Sequence, residues 1–195
     1  MSLSVIWLRL PQVKTQPQSR PRTCPNCNSY ILQRWGRITK PVRDTHELEV
    51  EIHRYRCCDC GKTFRAYPEG VDRAERSTRM RQLAALAWAM GLSLEAVVGV
   101  FTNFGVNLSR TTIWRDGQEM ASYLPGGRRT RFVRVLNTAQ KGVWLDEHEG
   151  GVVIVLELKR SSKVLLEMVG DYTQEEVEDW LEPIADNLGL EMEVF

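Results

Sequence analysis

The chain has no cysteine after residue 60, no apolar run approaching the roughly 18 residues that a membrane span requires, and no basic stretch leading into a long apolar one near its start. The last two absences exclude a transmembrane helix and a secretory signal as sequence readings, so no membrane partner is expected and the cytoplasm is the default location. No internal repeat and no low-complexity tract is present either. What remains is a globular chain whose 195 residues suffice for one ordinary domain or a few small ones.

Net charge is nearly absent, at +1, yet the charges are unevenly placed. Residues 1–137 hold 22 Lys and Arg against 11 Asp and Glu, whereas residues 138–195 hold 4 against 14. A basic front points to a polyanion partner for that part alone, because nucleic-acid affinity comes largely from Lys and Arg displacing phosphate counterions. The plainer alternative is two domains with differently charged solvated faces.

All five cysteines lie between residues 24 and 60. Cys24-Pro25-Asn26-Cys27 and Cys57-Cys58-Asp59-Cys60 form two CxxC pairs separated by 29 residues. Each such turn aims two thiolates at one point, and a β-hairpin that joins them completes the tetrahedral shell of structural Zn2+. Free thiols or a redox pair are the competing readings. Cys58 is expected to face away from the metal. His46 and His53 are available as substitute ligands, but four cysteines suffice. A shell of Cys24, Cys27, Cys57 and Cys60 leaves no open position, which excludes catalysis by that ion.

Along the chain, the pattern divides into an extended arm over 1–22, a zinc ribbon over 23–70 and a charged connector. The period then changes to 3.6 for three helices within 78–125. Met80, Leu83, Leu86, Ala87 and Met90 make the first apolar stripe, and Leu94, Val97, Val98, Phe101 and Phe104 the second. Ser93 and Ser109 are predicted N-caps. The third stripe, with Ile113, Trp114 and Gly117, puts Trp114 in the core alongside Trp88. It leaves Thr111, Thr112, Arg115, Gln118 and Ser122 outward and Arg110 in the free first turn. Three helices of this kind fit a helix-turn-helix, whose later helix lies in the major groove of double-stranded DNA. A plain three-helix bundle is the alternative.

A basic linker follows over 126–138, in which Arg128, Arg129 and Arg131 are candidate phosphate or minor-groove contacts. Over 139–195 the pattern reads as strands at 142–146, 152–158 and 164–169, then a helix capped by Thr173 and interrupted by Pro183, then a strand over 190–195. Asp146 ends the first of these strands, where packing explains a carboxylate poorly. Its functional reading is a metal ligand for phosphoryl transfer.

The order of these parts resembles the bacterial insertion-sequence transposases of the DDE superfamily. The resemblance rests on the two cysteine knuckles, on Tyr55-Arg56-Cys57 through Thr63-Phe64, and on Ser93-Leu94-Glu95-Ala96-Val97 followed by Ser109-Arg110-Thr111-Thr112-Ile113-Trp114. It extends to Trp144-Leu145-Asp146-Glu147. It implies a multidomain α+β protein made of a small β zinc ribbon, a three-helix helix-turn-helix and an incomplete α/β ribonuclease-H-like fold. It further implies recognition of element-end DNA, with Asp146 as the first catalytic carboxylate and 190–195 as the fourth strand. The family's second Asp and its Glu lie further on, so Mg2+-dependent strand transfer is implied only if the catalytic domain is completed. Homo-oligomerisation or a complementing transposase chain would supply the remainder, and the alternative function is a non-enzymatic regulator that occupies the same DNA. A zinc-ribbon interaction module without DNA binding is a third reading.

Overall fold

The computed structural model describes residues 3–121, 133–136, 151–159, 162–168 and 172–195. In chain order these form β1 (Leu3–Arg9), β2 (Leu32–Pro41), β3 (Glu49–Cys57) and β4 (Thr63–Ala66), then α1 (Thr78–Ala89), α2 (Leu94–Asn103) and α3 (Arg110–Ala121). They continue with β5 (Val133–Leu136), β6 (Gly151–Lys159), β7 (Ser162–Met168), α4 (Gln174–Leu188) and β8 (Glu191–Val194). The fold is mixed α+β, with four helices and two sheets among the described residues. The chain divides into two compact units, Gln12–Met80 and a second made of Met1–Pro11 with Arg81–Phe195.

In the unit Gln12–Met80, β2, β3 and β4 form a three-stranded antiparallel sheet in that order. Alternate residues of a strand face opposite sides, so the buried positions of β3 show which side is covered. Val50 and Ile52 are buried on one face, where they pack with Val13, Val42 and Val71. Tyr55 and Cys57 are buried on the other. There Cys57 packs with Cys24 and Leu32, and Tyr55 stacks on Phe64 with ring centroids 5.8 Å apart. The ribbon therefore has two small cores on opposite sides, one at each end. Between them the ladder is irregular: the pairing of β2 with β3 shifts between Arg34 and Gly36, which leaves Trp35 as the extra residue of a bulge. Gly36 has φ +131°, a conformation that favours glycine.

The same unit holds a buried ion pair that the sequence pattern does not reveal. Asp44 accepts hydrogen bonds from Ser77 Oγ, from Arg79 Nε at 2.8 Å and from Arg79 Nη2. It also accepts the His46 N–H at 2.9 Å. Asp44 and Arg79 are 4% and 1% exposed, so each charge depends on its partner for the solvation that water would otherwise supply. These bonds outweigh the cost of burial and hold the Asp44 carboxyl well below the ordinary carboxylate range, at about 2.

The second unit contains a five-stranded sheet in the order β5-β7-β6-β1-β8. Every described side chain from Val152 to Glu157 of β6 is buried, as expected of an inner strand covered on both faces. The expected extended arm over 1–22 contributes a strand to this sheet. Leu3–Arg9 is an inner strand, parallel to β6 on one side and antiparallel to β8 on the other. Burial of Ile6 and Leu8 drives that pairing, and Arg9 joins it with ion pairs to Glu157 and Glu193 at 3.0 and 2.5 Å. The segment expected as linker, 126–138, contains β5, which pairs antiparallel with β7. The expected strands at 152–158 and 164–169 correspond to β6 and β7, and the last expected strand to β8. β8 pairs with β1 rather than with any strand of 133–168. The strand expected at 142–146 lies outside the described residues.

Three helices precede that sheet in sequence. α1 is buried nearly all round, Arg81 and Gln82 included, and from Met80 to Met90 only Trp88 is less than buried. Ser93 caps α2 by accepting the Ala96 N–H, and Ser109 accepts the Thr112 N–H at 3.2 Å at the start of α3. Gly105, at φ +76°, turns the chain between α2 and α3. Thr173 and Glu176 close a reciprocal capping box on α4. That helix continues past Pro183 and ends at Gly189 in the left-handed region. Gln82 of α1 donates to the Leu188 carbonyl at 2.5 Å, which ties α1 to the C-terminal end of α4.

Candidate metal centre and basic helix face

The hairpin of β3 and β4 carries Cys57 at its strand end and Cys60 in the turn, while Cys24 and Cys27 sit in the loop that leads into β2. The turns are built alike: Asn28 N donates to Cys24 O at 2.9 Å, and Gly61 N to Cys57 O at 3.0 Å. Asn28 and Gly61 both take positive φ, 58° and 70°, which closes each knuckle. The four sulfur atoms lie within 4.8 Å of one another, with Cys27 to Cys57 at 3.5 Å and Cys24 to Cys60 at 3.8 Å. A tetrahedral shell with metal–sulfur bonds of about 2.3 Å has sulfur–sulfur edges of roughly 3.8 Å. All four thiols are free of disulfides, and the cluster is positioned to hold a metal ion.

The electrostatics of the bare thiols favour one thiolate. The N–H of Cys60 lowers the Cys57 thiol to about 6, against desolvation and with help from the Asp59 N–H. The Ser29 N–H acts in the same sense on Cys27, but desolvation and the adjoining sulfurs win and raise that thiol to about 12. A cation is what allows four such groups to ionise together. Cys58 is exposed and outside the cluster, as its spacing predicts. Neither histidine joins: His53 Nε2 is 2.8 Å from Glu51.

On α3, Arg110, Thr111, Arg115 and Gln118 are exposed, whereas Ile113, Asp116 and Gly117 are buried. Thr112 is half-buried, its hydroxyl 2.9 Å from that of Ser109. Arg110 is engaged on the surface by Glu95 at 2.9 Å. The sequence pattern placed Trp114 in the core; it is instead 51% exposed. The inner side of α3 is centred on Ile113, Asp116 and Gly117, and Trp114 lies about 100° round the helix from Ile113, so it faces outward. Arg115 and Trp114 therefore share the exposed side. Asp116, buried at 1% exposure, is a feature no apolar pattern signals.

Arg128, Arg129 and Arg131, expected as phosphate contacts, and Ser122 lie outside the described residues, as does Asp146, the expected catalytic carboxylate. No helix among the described residues is long and apolar enough to cross a membrane. No family model, no curated protein and no solved structure matches the chain.

Proposed function

We propose that this chain is a transposase-like protein that binds double-stranded DNA, with a zinc ribbon fixed by Cys24, Cys27, Cys57 and Cys60 and with α2 and α3 acting as a helix-turn-helix. The observation that carries the reading is the two-sided character of α3. Its inner side is closed by Ile113 and Gly117, and its outer side presents Arg110, Thr111, Arg115 and Gln118 from a capped N-terminus. Guanidinium groups and hydroxyls are the side chains that read guanine edges and hold phosphates.

The sulfur geometry fits zinc, which takes four thiolates in a closed structural site; the ion supplies a cross-link between the two knuckles and no reaction chemistry. Asp146 is assigned as a carboxylate of a ribonuclease-H-like domain that needs further carboxylates, from this or another chain, before Mg2+ can act there. Until those carboxylates are supplied the protein binds element-end DNA without cutting it, and occupation of that DNA by a non-enzymatic regulator is the second reading.

The test is binding of the zinc-loaded full chain to a panel of short duplexes, beside Arg115→Ala. Each good side chain–base pair discriminates by about 1–3 kcal/mol, so the variant should lose preference among duplexes by roughly tenfold or more. A parent chain with no affinity for duplex DNA at low salt would overturn the reading. Nicking of supercoiled DNA by the parent with Mg2+ or Mn2+, abolished in Asp146→Ala, would overturn the non-cutting part alone.

A further inference from the structure

The bulge of the three-stranded sheet forms a hollow that the zinc cluster and α3 do not use. Cross-strand partners share a face, so Arg34 lies on the side of its partner Tyr55, and Arg37 on the side of its partner His53. This side is covered at one end by Tyr55, Phe64 and Cys57, and the opposite side by Val50 and Ile52 at the other end. At the crossover neither core reaches. The result is a hollow of about 70 Å³ lined by Arg34, Gly36, Arg37, His53, Arg54 and Tyr55.

The lining is strongly cationic. Among the described residues Arg34 and Arg54 make no ion pair, and Arg37 has only a 3.4 Å contact to Glu51 while itself 62% exposed. Glu51 also engages His53, so the carboxylate that meets Arg37 is shared. A fourth, Arg20, lies 6.0 Å from the Tyr55 ring centroid. Arg56 is set apart, with its guanidinium 5.0 Å above Trp35. An open hollow of this kind with a cationic lining suits a small tetrahedral anion. Guanidinium forks bind phosphate oxygens in pairs. Gly36 adds an approach free of side chain, since nothing lies within 4 Å of the Cβ position there.

We propose that this hollow at the β2–β3 bulge seats a phosphodiester of the DNA backbone, held by Arg34 and Arg37 over the Tyr55 floor. The ribbon then contributes a sequence-independent contact of its own, separate from base reading by α3. The proposal rests on the DNA-binding reading above and adds a second point of attachment to it.

The zinc-loaded full chain, Arg34→Ala with Arg37→Ala, Arg34→Lys with Arg37→Lys, and Arg115→Ala are titrated with matched and scrambled duplexes over a salt series. Zinc content serves as the check on folding. At about 0.9 per phosphate contact, the slope of log affinity against log salt should fall by roughly 0.9 in the alanine pair, which loses the one seated phosphate, with all duplexes weakened alike by about tenfold or more at low salt. The lysine pair should keep most of the slope. Arg115→Ala should lose preference instead. An alanine pair that retains zinc and shows the parent's slope and affinity would overturn the seat while leaving the DNA-binding reading intact. A parent chain that binds no duplex would remove both. Inorganic phosphate at constant ionic strength provides the last arm: competition with the duplex in the parent, absent from the alanine pair, is expected, whereas phosphate binding to the parent that leaves duplex affinity and slope unchanged would overturn the backbone assignment in favour of a free anion.

Discussion

The three-stranded sheet β2–β4 and the five-stranded sheet β5-β7-β6-β1-β8 cover their ladders by different means. The first is local, its strands consecutive in sequence, and its apolar cover is five buried residues around Val50 and Ile52 and three around Cys57. Such small cores leave little hydrophobic stabilisation, and the ribbon relies on point fixings: four thiols and the Asp44–Arg79 pair. The second draws its inner strands β1 and β6 from distant parts of the chain and buries six consecutive residues of β6. Stability there is spread over many contacts. Loss of one group should therefore be severe in the ribbon and graded in the larger sheet.

The largest expected effect comes from disabling the four-cysteine site. A structural metal at such a site contributes on the order of 10 kcal/mol to small metal-held folds, so a chelator, or Cys57→Ser, should abolish amide protection across β2–β4. Hydrogen exchange should show β6 still protected; equal loss in both sheets would break the contrast. Next is Asp44→Asn, which leaves the buried Arg79 guanidinium without its carboxylate and should cost about 3–5 kcal/mol with zinc still bound. Denaturant unfolding measures it, and a cost below about 1 kcal/mol would mean that the pair is not a fixing point.

In the five-stranded sheet, Leu8→Ala removes a fully buried side chain from β1 and should cost about 2–5 kcal/mol. Exchange in β8 should rise, because among the described residues β8 joins the sheet through β1 alone. Unchanged exchange there would place β1 outside the folded sheet. Acid sharpens the comparison further. Asp44 titrates at about 2 when folded and near 3.8 when not, so its contribution of about 2 kcal/mol is complete above pH 4 and disappears as the pH falls through about 2. With Asp44→Asn that portion of the acid dependence should vanish. The smallest effect is Thr173→Ala, which removes the capping box of α4 and should lower stability by about 1 kcal/mol, read as a small shift in the unfolding midpoint.

Much of the local structure was legible in the residues. The two CxxC spacings placed four sulfurs together, and Cys58 outside them, because a knuckle is short enough for spacing to dictate geometry. Ser93, Ser109 and Thr173 marked helix starts because an N-cap acts on an N–H only three residues away. The buried side of α4, made of Val177, Trp180, Leu181, Ile184, Ala185 and Leu188, follows the helical period. Trp114 was misread because an apolar residue at the edge of a helical stripe fits either side, and the inner side is centred on Ile113, Asp116 and Gly117.

Sequence by itself determined what depends on separations of a few residues: the metal knuckles, the caps, the helical stripes, and the basic front against the acidic back. Tertiary structure alone decided what depends on partners far along the chain. β1 alternates like any strand, and nothing within Leu3–Arg9 names β6, some 148 residues later, as its neighbour. Asp44 reads as a turn residue until Arg79, 35 residues on, is folded against it. The Arg34–Arg37 hollow exists only because the ribbon's two cores lie on opposite faces. Burial and pairing are properties of the assembled chain: they reward contacts between segments, and no segment carries the record of the contact by itself.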